Sequence, residues 1–240
     1  MIKEAIEKVL ELRDPETLKI DGKDFVKKGY DEVVDPIYQP SYLEVRNLSG
    51  LVDFVRNNID KLELQELFIH VVSHKSVYLS SNLKEEEKRK DYIKASIVDY
   101  AEGFSYGTKM DTEHFIIQTQ TKFVQDENMQ AVQRIIGNMS DNVTQSQSDD
   151  GISQTVTVKG GIQILAKEKL PNPVELRPFR TFAEIEQPQS KFVLRTHSAQ
   201  KEGESRVSLS EADGGFWKFD AIVNIKNYFK TNLPEISVIG

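Results

Sequence analysis

The stretch Pro171-Asn172-Pro173-Val174-Glu175-Leu176-Arg177-Pro178-Phe179-Arg180-Thr181-Phe182-Ala183-Glu184-Ile185-Glu186-Gln187-Pro188 decides how the chain is read. Apolar and polar residues alternate in it, and turn-forming residues interrupt it at short intervals. That is the pattern of short strands with one buried face. The same period of two runs through Gln154–Val158, Gly161–Ala166, Val174–Leu176, Phe179–Ile185, Phe192–Thr196 and Ser205–Leu209. The gaps between these segments are too short for the crossovers that parallel strands require, so the sheet of the second half is expected to be mainly antiparallel. Asp213-Gly214-Gly215 then leads into a helix over 215–231, with Asp213 bonding free backbone N–H groups. Phe219, Ile222, Ile225 and Phe229 stripe its expected buried side, Trp217 packs on the sheet at its start, and the helix closes the sheet.

Upstream the period is helical. Ile2, Ala5, Ile6, Val9 and Leu10 mark an amphipathic helix over 2–13, stopped at Asp14-Pro15. Residues 15–42, with three prolines and two glycines, read as an irregular arm with at most one short strand. A helix over 47–60 places Leu48, Leu51, Val52, Val55 and Ile59 on one face, capped by Asn47 or Ser49. Two strands within 67–80 meet at Ser73-His74-Lys75, 84–91 is a solvated charged run, and 92–100 returns to a strand pattern. Residues 112–139 fit two helices. The first is capped by Asp111 or Thr112. The second starts at Asp126, with Met129, Val132, Ile135 and Ile136 inward and Gly137 at its end. The fold class is therefore α+β, with helical elements in the N-terminal half. The polar stretch 138–151 suggests a division into 1–42, 43–145 and 146–240, the last two open to being one continuous domain.

Composition narrows function. With a net charge of −7, broad duplex-DNA binding is disfavoured. The absence of cysteine removes disulfides, thiolate metal sites and thiol nucleophiles. No apolar run reaches the length of a membrane span, and the first residues lack a signal-peptide core, so a cytoplasmic location is expected. His70 and His74 would share a strand face, but no third ligand or supporting shell accompanies them, and ordinary hydrogen-bonded histidines are the better account. Asp149, Asp150, Glu184, Glu186, Glu211 and Asp213 offer carboxylates for acid–base chemistry. Asp149-Asp150-Gly151 reads better as a turn, however, and Asp213 as a helix cap. Lys159-Gly160-Gly161 lacks the spacing of a phosphate loop. No catalytic residue, metal site or cofactor is expected.

Between 156 and 195, seven cations (Lys159, Lys167, Lys169, Arg177, Arg180, Lys191, Arg195) face four acids (Glu168, Glu175, Glu184, Glu186). Phe179, Phe182 and Phe192 interleave with them. Arg177, Arg180, Arg195, Phe179 and Phe182 are thus the candidate ligand-binding residues, the rings stacking bases and the arginines holding phosphates. The competing account is a sheet with buried phenylalanines and arginines paired to Glu175, Glu184 or Glu186, and pairing is the expected outcome.

Asp149-Asp150-Gly151-Ile152-Ser153-Gln154, Lys159-Gly160-Gly161-Ile162, Pro171-Asn172-Pro173-Val174, Pro178-Phe179-Arg180-Thr181-Phe182-x-Glu184-x-x-Gln187-Pro188, Phe192-Val193-Leu194-Arg195 and Glu211-Ala212-Asp213-Gly214-Gly215-x-Trp217 together resemble a group of uncharacterised proteins of phages and prophages of low-GC bacteria. A larger phage domain family of unknown function is similar in the order of its elements. The resemblance spans roughly 43–233. It implies a phage-encoded protein in the cytoplasm of an infected or lysogenic host, engaged in host takeover, evasion of defences or DNA metabolism. It carries over no active site. The expectation is a non-enzymatic binding protein for a host protein or small ligand. The alternative is a single-stranded nucleic-acid-binding protein in phage DNA metabolism, with a carboxylate-and-metal hydrolase last. The short amphipathic helix at 2–13 is marginal alone, so self-association as a homo-oligomer is expected.

Overall fold

The computed structural model describes residues 2–11, 17–20, 23–26, 41–83, 88–97, 103–138, 155–158, 166–169, 172–197 and 205–240. They fall into two units, Met1–Ser41 and Tyr42–Gly240. In the first, helix α1 (Ile2–Glu11) is followed by β1 (Thr17–Ile20) and β2 (Lys23–Val26), an antiparallel hairpin pairing Thr17 with Val26 and Ile20 with Lys23. The arm thus holds two strands where the sequence suggested at most one. Ile2 and Ile6 on α1 are exposed.

The second unit is α+β and mostly antiparallel. It begins with β3 (Leu43–Val45) and α2 (Leu48–Asn57). The Asn47 side chain accepts a hydrogen bond from the Gly50 N–H at 2.9 Å and starts α2. Asn58 ends it with φ +40°. That left-handed residue throws Ile59 off the helix, so the expected burial of Ile59 is corrected to 70% exposure. A 3₁₀ turn (Leu64–Glu66) precedes β4 (Leu67–Ser73), β5 (Ser76–Ser81) and β6 (Asp91–Ser96). The β4–β5 hairpin turns at His74-Lys75, inside the expected junction.

Then come β7 (Met110–Asp111), α3 (Thr112–Lys122), α4 (Glu127–Gly137), β8 (Thr155–Val158), β9 (Ala166–Lys169), β10 (Val174–Leu176), β11 (Ser190–His197), β12 (Arg206–Glu211), α5 (Trp217–Asn232) and β13 (Ser237–Ile239). Asp111 caps α3 by accepting from the His114 N–H, and Asp126 caps α4 by accepting from the Met129 N–H. The carboxylates suit the positive N-terminal end of each helix.

One sheet has the order β13-β4-β5-β6-β3, with antiparallel centre strands and short parallel strands at both edges. The other, β10-β11-β12-β7, is antiparallel throughout, and β8 and β9 form a separate hairpin. Two cores result. The first packs α2 and α5 against the inner residues Leu67, Ile69, Val71, Val77, Leu79, Ile93 and Ala95. The second packs Phe115, Met129, Val132 and Ile136 of α3 and α4 against Phe192, Leu194, Val207 and Leu209. Helix α5 lies on β4 and β13, while the described cover of the four-stranded sheet comes from α3 and α4.

Two further expectations are corrected. Phe179–Ile185 is not a strand but a run of bends and turns between Pro178 and Pro188. The Gln187 side chain replaces a strand partner there. Its Oε1 accepts from the Arg180 N–H at 3.1 Å, and its Nε2 donates to the Phe182 carbonyl at 3.0 Å. Phe219 is not buried but 66% exposed. The inward face of α5 is Trp217, Ala221, Ile225 and Phe229, in steps of four. Phe219 lies two residues past Trp217, about 200° around the helix. Asp149-Asp150-Gly151, Lys159-Gly160-Gly161 and the expected strand residues 161–165 lie outside the described residues.

Candidate binding surfaces

The five candidate residues do not share one face. Phe182 is fully buried in the first core. Phe179 is 59% exposed. Arg177 donates to Glu186 Oε1 at 2.9 Å and lies 3.7 Å from Asp126. Arg195 stands on β11, opposite Ser208, on the face away from the second core. Arg180 is more enclosed than Arg177. Its guanidinium lies 3.7 Å from the Trp217 ring centroid, donates to Glu211 Oε1 at 2.5 Å and donates to the Ser190 hydroxyl. Pairing is therefore seen at Arg177 with Glu186, whereas Arg180 takes Glu211. Glu175 accepts from Gln189, and Glu184 accepts from the Leu48 N–H at 2.7 Å and the Ser49 N–H at 3.2 Å at the start of α2.

Around Arg180 the elements of both cores meet. The Tyr106 ring stacks on Phe192 at 5.5 Å, and the His74 ring meets Trp217 edge-on at 4.7 Å. Thr181 donates to the His74 carbonyl at 2.6 Å. Burial pushes the Tyr106 phenol up to about 12, despite the opposing pull of Arg180, so it stays neutral. Burial alone would raise the Asp213 pKa. Hydrogen bonds from Ser190, Gly215 and Trp217 and the Arg180 charge outweigh it and hold the carboxyl below its ordinary value. Gly214 and Gly215, with φ +63° and +82°, let the chain turn there so that Asp213 accepts from the Gly215 N–H. This arrangement ties loop 179–187, β12 and α5 together. Its charged groups pair with one another, while Arg180 Nε and Trp217 Nε1 are buried without a hydrogen-bond partner among the described residues. The closed packing suits a structural junction.

A different surface presents groups outward. On the five-stranded sheet the inner residues are core, and the alternate residues face the other way. Register aligns Ile239, His70, Tyr78, Lys94 and Glu44 in one row across all five strands. His70 and Ile239 are exposed, and Tyr78 and Lys94 are half-buried. Tyr42 meets Tyr78 edge-on at 6.0 Å, and the Lys94 ammonium lies 5.8 Å and 5.7 Å from these two rings. Phe68, next outward residue to His70 on β4, carries Arg89 at 5.1 Å over its ring, and Lys90 lies 4.9 Å over Tyr92. Lys94 pairs with Glu44 at 3.3 Å, and Arg46 reaches both Glu44 and the Ser96 hydroxyl. The hydrogen bond that Lys94 donates to Glu44 is the main reason its pKa is raised. The sequence signal was present. The alternate positions of β4 and β5 are Phe68, His70, Val72, Ser76, Tyr78 and Ser80, and three of the six are rings.

Two other features stand out. Phe216, Phe219 and Val223 form an exposed apolar ridge on α5, with the two phenylalanine rings 6.0 Å apart. On the outer side of β11 and β12, His197 Nε2 lies 2.9 Å from the Ser208 hydroxyl. Burial first, then Lys109 and Arg195, lower the His197 pKa. Among the described residues no three His, Cys, Asp or Glu side chains gather as a metal site, and no helix is long and apolar enough to cross a membrane. No protein-family model, curated protein or solved structure matches the chain.

Proposed function

We propose that the chain is a non-enzymatic binding protein that engages its partner through the outer face of the five-stranded sheet. The observation behind this reading is the cross-strand row His70–Tyr78–Lys94, flanked by Tyr42 and Phe68, on the side of the sheet that neither core of the described residues covers. Aromatic rings and cations displayed together on one sheet face give contact area at low entropic cost and are poor choices for mere solubility. The resemblance to phage and prophage proteins supports a role inside a bacterial host, in takeover, defence evasion or DNA metabolism. The exposed stripe of α1 supports self-association. A second reading, a host protein seated on α5, is favoured by the Phe216–Phe219 ridge.

Hydroxyl-radical footprinting tests where the partner sits. The chain isolated with whatever copurifies from host cells is compared with the stripped chain. Protection of Tyr42, His70 and Tyr78 is expected. Protection confined to Phe216 and Phe219 would move the site to α5, and an unchanged footprint would sink the binding reading.

A further inference from the structure

We infer that the occupant of the outer sheet face is a single-stranded nucleic acid, an inference that rests on the binding reading above and names its ligand. Unpaired bases stack on aromatic rings, and the flanking phosphates need cations on the same surface. Both are present on adjacent strands. Tyr78 and His70 are direct cross-strand neighbours, Lys94 is the next residue in the same row with Glu44 beyond it, and the Tyr42 ring lies 6.0 Å from that of Tyr78. Arg89 and Lys90 sit over Phe68 and Tyr92.

Charge points the same way. Arg46, Arg89, Lys90 and Lys94 stand on or beside this face against Glu44 and Asp91, within a chain whose net charge is −7. A protein partner of ordinary kind would favour an apolar centre with charges at the rim. Here the cations lie among the rings. A duplex hides its base faces inside the stack and offers these rings nothing to stack on. Glu44 acts as an internal stand-in for phosphate. It holds Lys94 and Arg46 until a phosphate oxygen displaces it, which makes its removal informative.

The test is fluorescence anisotropy of fluorescein-labelled oligothymidylate with the full chain, beside the matching duplex. Single strands should bind more tightly than the duplex. The logarithm of the binding constant should fall with the logarithm of salt with a slope of about −2 to −3, as expected for three or four cations on a single strand. Tyr78→Ala should weaken binding about tenfold through loss of one stacking ring. Glu44→Gln should tighten it, a gain that misfolding cannot mimic. Thermal melts of both variants establish that the fold is kept. Absence of oligothymidylate binding by the wild type, or binding that ignores both substitutions, overturns the inference. If the oligonucleotide fails while footprinting still protects Tyr42, His70 and Tyr78, the nucleic-acid assignment falls and the binding face stands. If the footprint leaves that face unprotected, both fall.

Discussion

Loop 177–187 and the outer face of β4–β6 use the same ingredients, arginines or lysines interleaved with aromatic rings, to opposite ends. In the loop, Phe182 is inside the first core, Arg180 lies against Trp217 and beside Glu211, and Arg177 meets Glu186. On the sheet, Tyr78, Lys94, His70 and Tyr42 stand outward, with Glu44 drawn to Lys94. A cation beside a ring marks a binding surface only when the ring has a free side. The junction around Arg180 has none, because loop 179–187, β12 and α5 close over it.

Substitutions can break this comparison. Phe182→Ala should have the largest effect, destabilising the chain by about 3–5 kcal/mol in urea unfolding, since it opens a cavity in a closed core. A loss comparable to that of a surface substitution would show that the loop is not core. Arg180→Ala should cost about 2–4 kcal/mol, because Trp217 loses its stacked guanidinium and Glu211 its counter-charge. Glu211 is partly solvated, with a side-chain exposure of 36%, which places the expectation below that for a fully buried pair. A double-mutant cycle with Glu211→Ala measures the coupling, and additive losses would dissolve the junction. Tyr78→Ala should cost only about 1 kcal/mol in the same assay, the scale of a cross-strand pair, while removing a stacking ring from the binding face. Equal losses of stability at Tyr78 and Phe182 would erase the contrast between the two regions.

The smallest effect expected is that of pH at His197. Its folded pKa lies below the ordinary 6.5, through burial and then the Lys109 and Arg195 charges. The unfolded chain therefore takes up this proton first. Stability is unaffected by His197 above about pH 6.5 and falls as pH drops from there toward the folded pKa. Removing the imidazole in His197→Gln should flatten that part of the stability–pH profile. An unchanged profile would show that the outer side of β11 and β12 is as well solvated as the sheet face around His70.

The local sequence by itself determined much of the architecture. The α+β class, the antiparallel pairs β4–β5 and β11–β12, the starts of α2, α3 and α4 at Asn47, Asp111 and Asp126, and the inward residues Leu48, Leu51, Val52 and Val55 of α2 and Met129, Val132, Ile135 and Ile136 of α4 follow from period, capping chemistry and turn residues. Such signals act over a few residues, so a few residues carry them. The tertiary structure decided the rest. Phe179–Ile185 alternates like a strand, yet it bends because Gln187 satisfies its backbone and Phe182 fills a core contributed by distant elements. Phe219 belongs to a helical stripe in sequence but faces solvent, since the start of α5 is oriented by Trp217 under Arg180. The row His70–Tyr78–Lys94–Glu44 exists only through the register of four strands, and no local pattern specifies which outward residues become neighbours. Burial and cross-strand register are properties of the assembled chain. They separate an arginine that holds loop 179–187 to α5 from a lysine placed to meet a ligand.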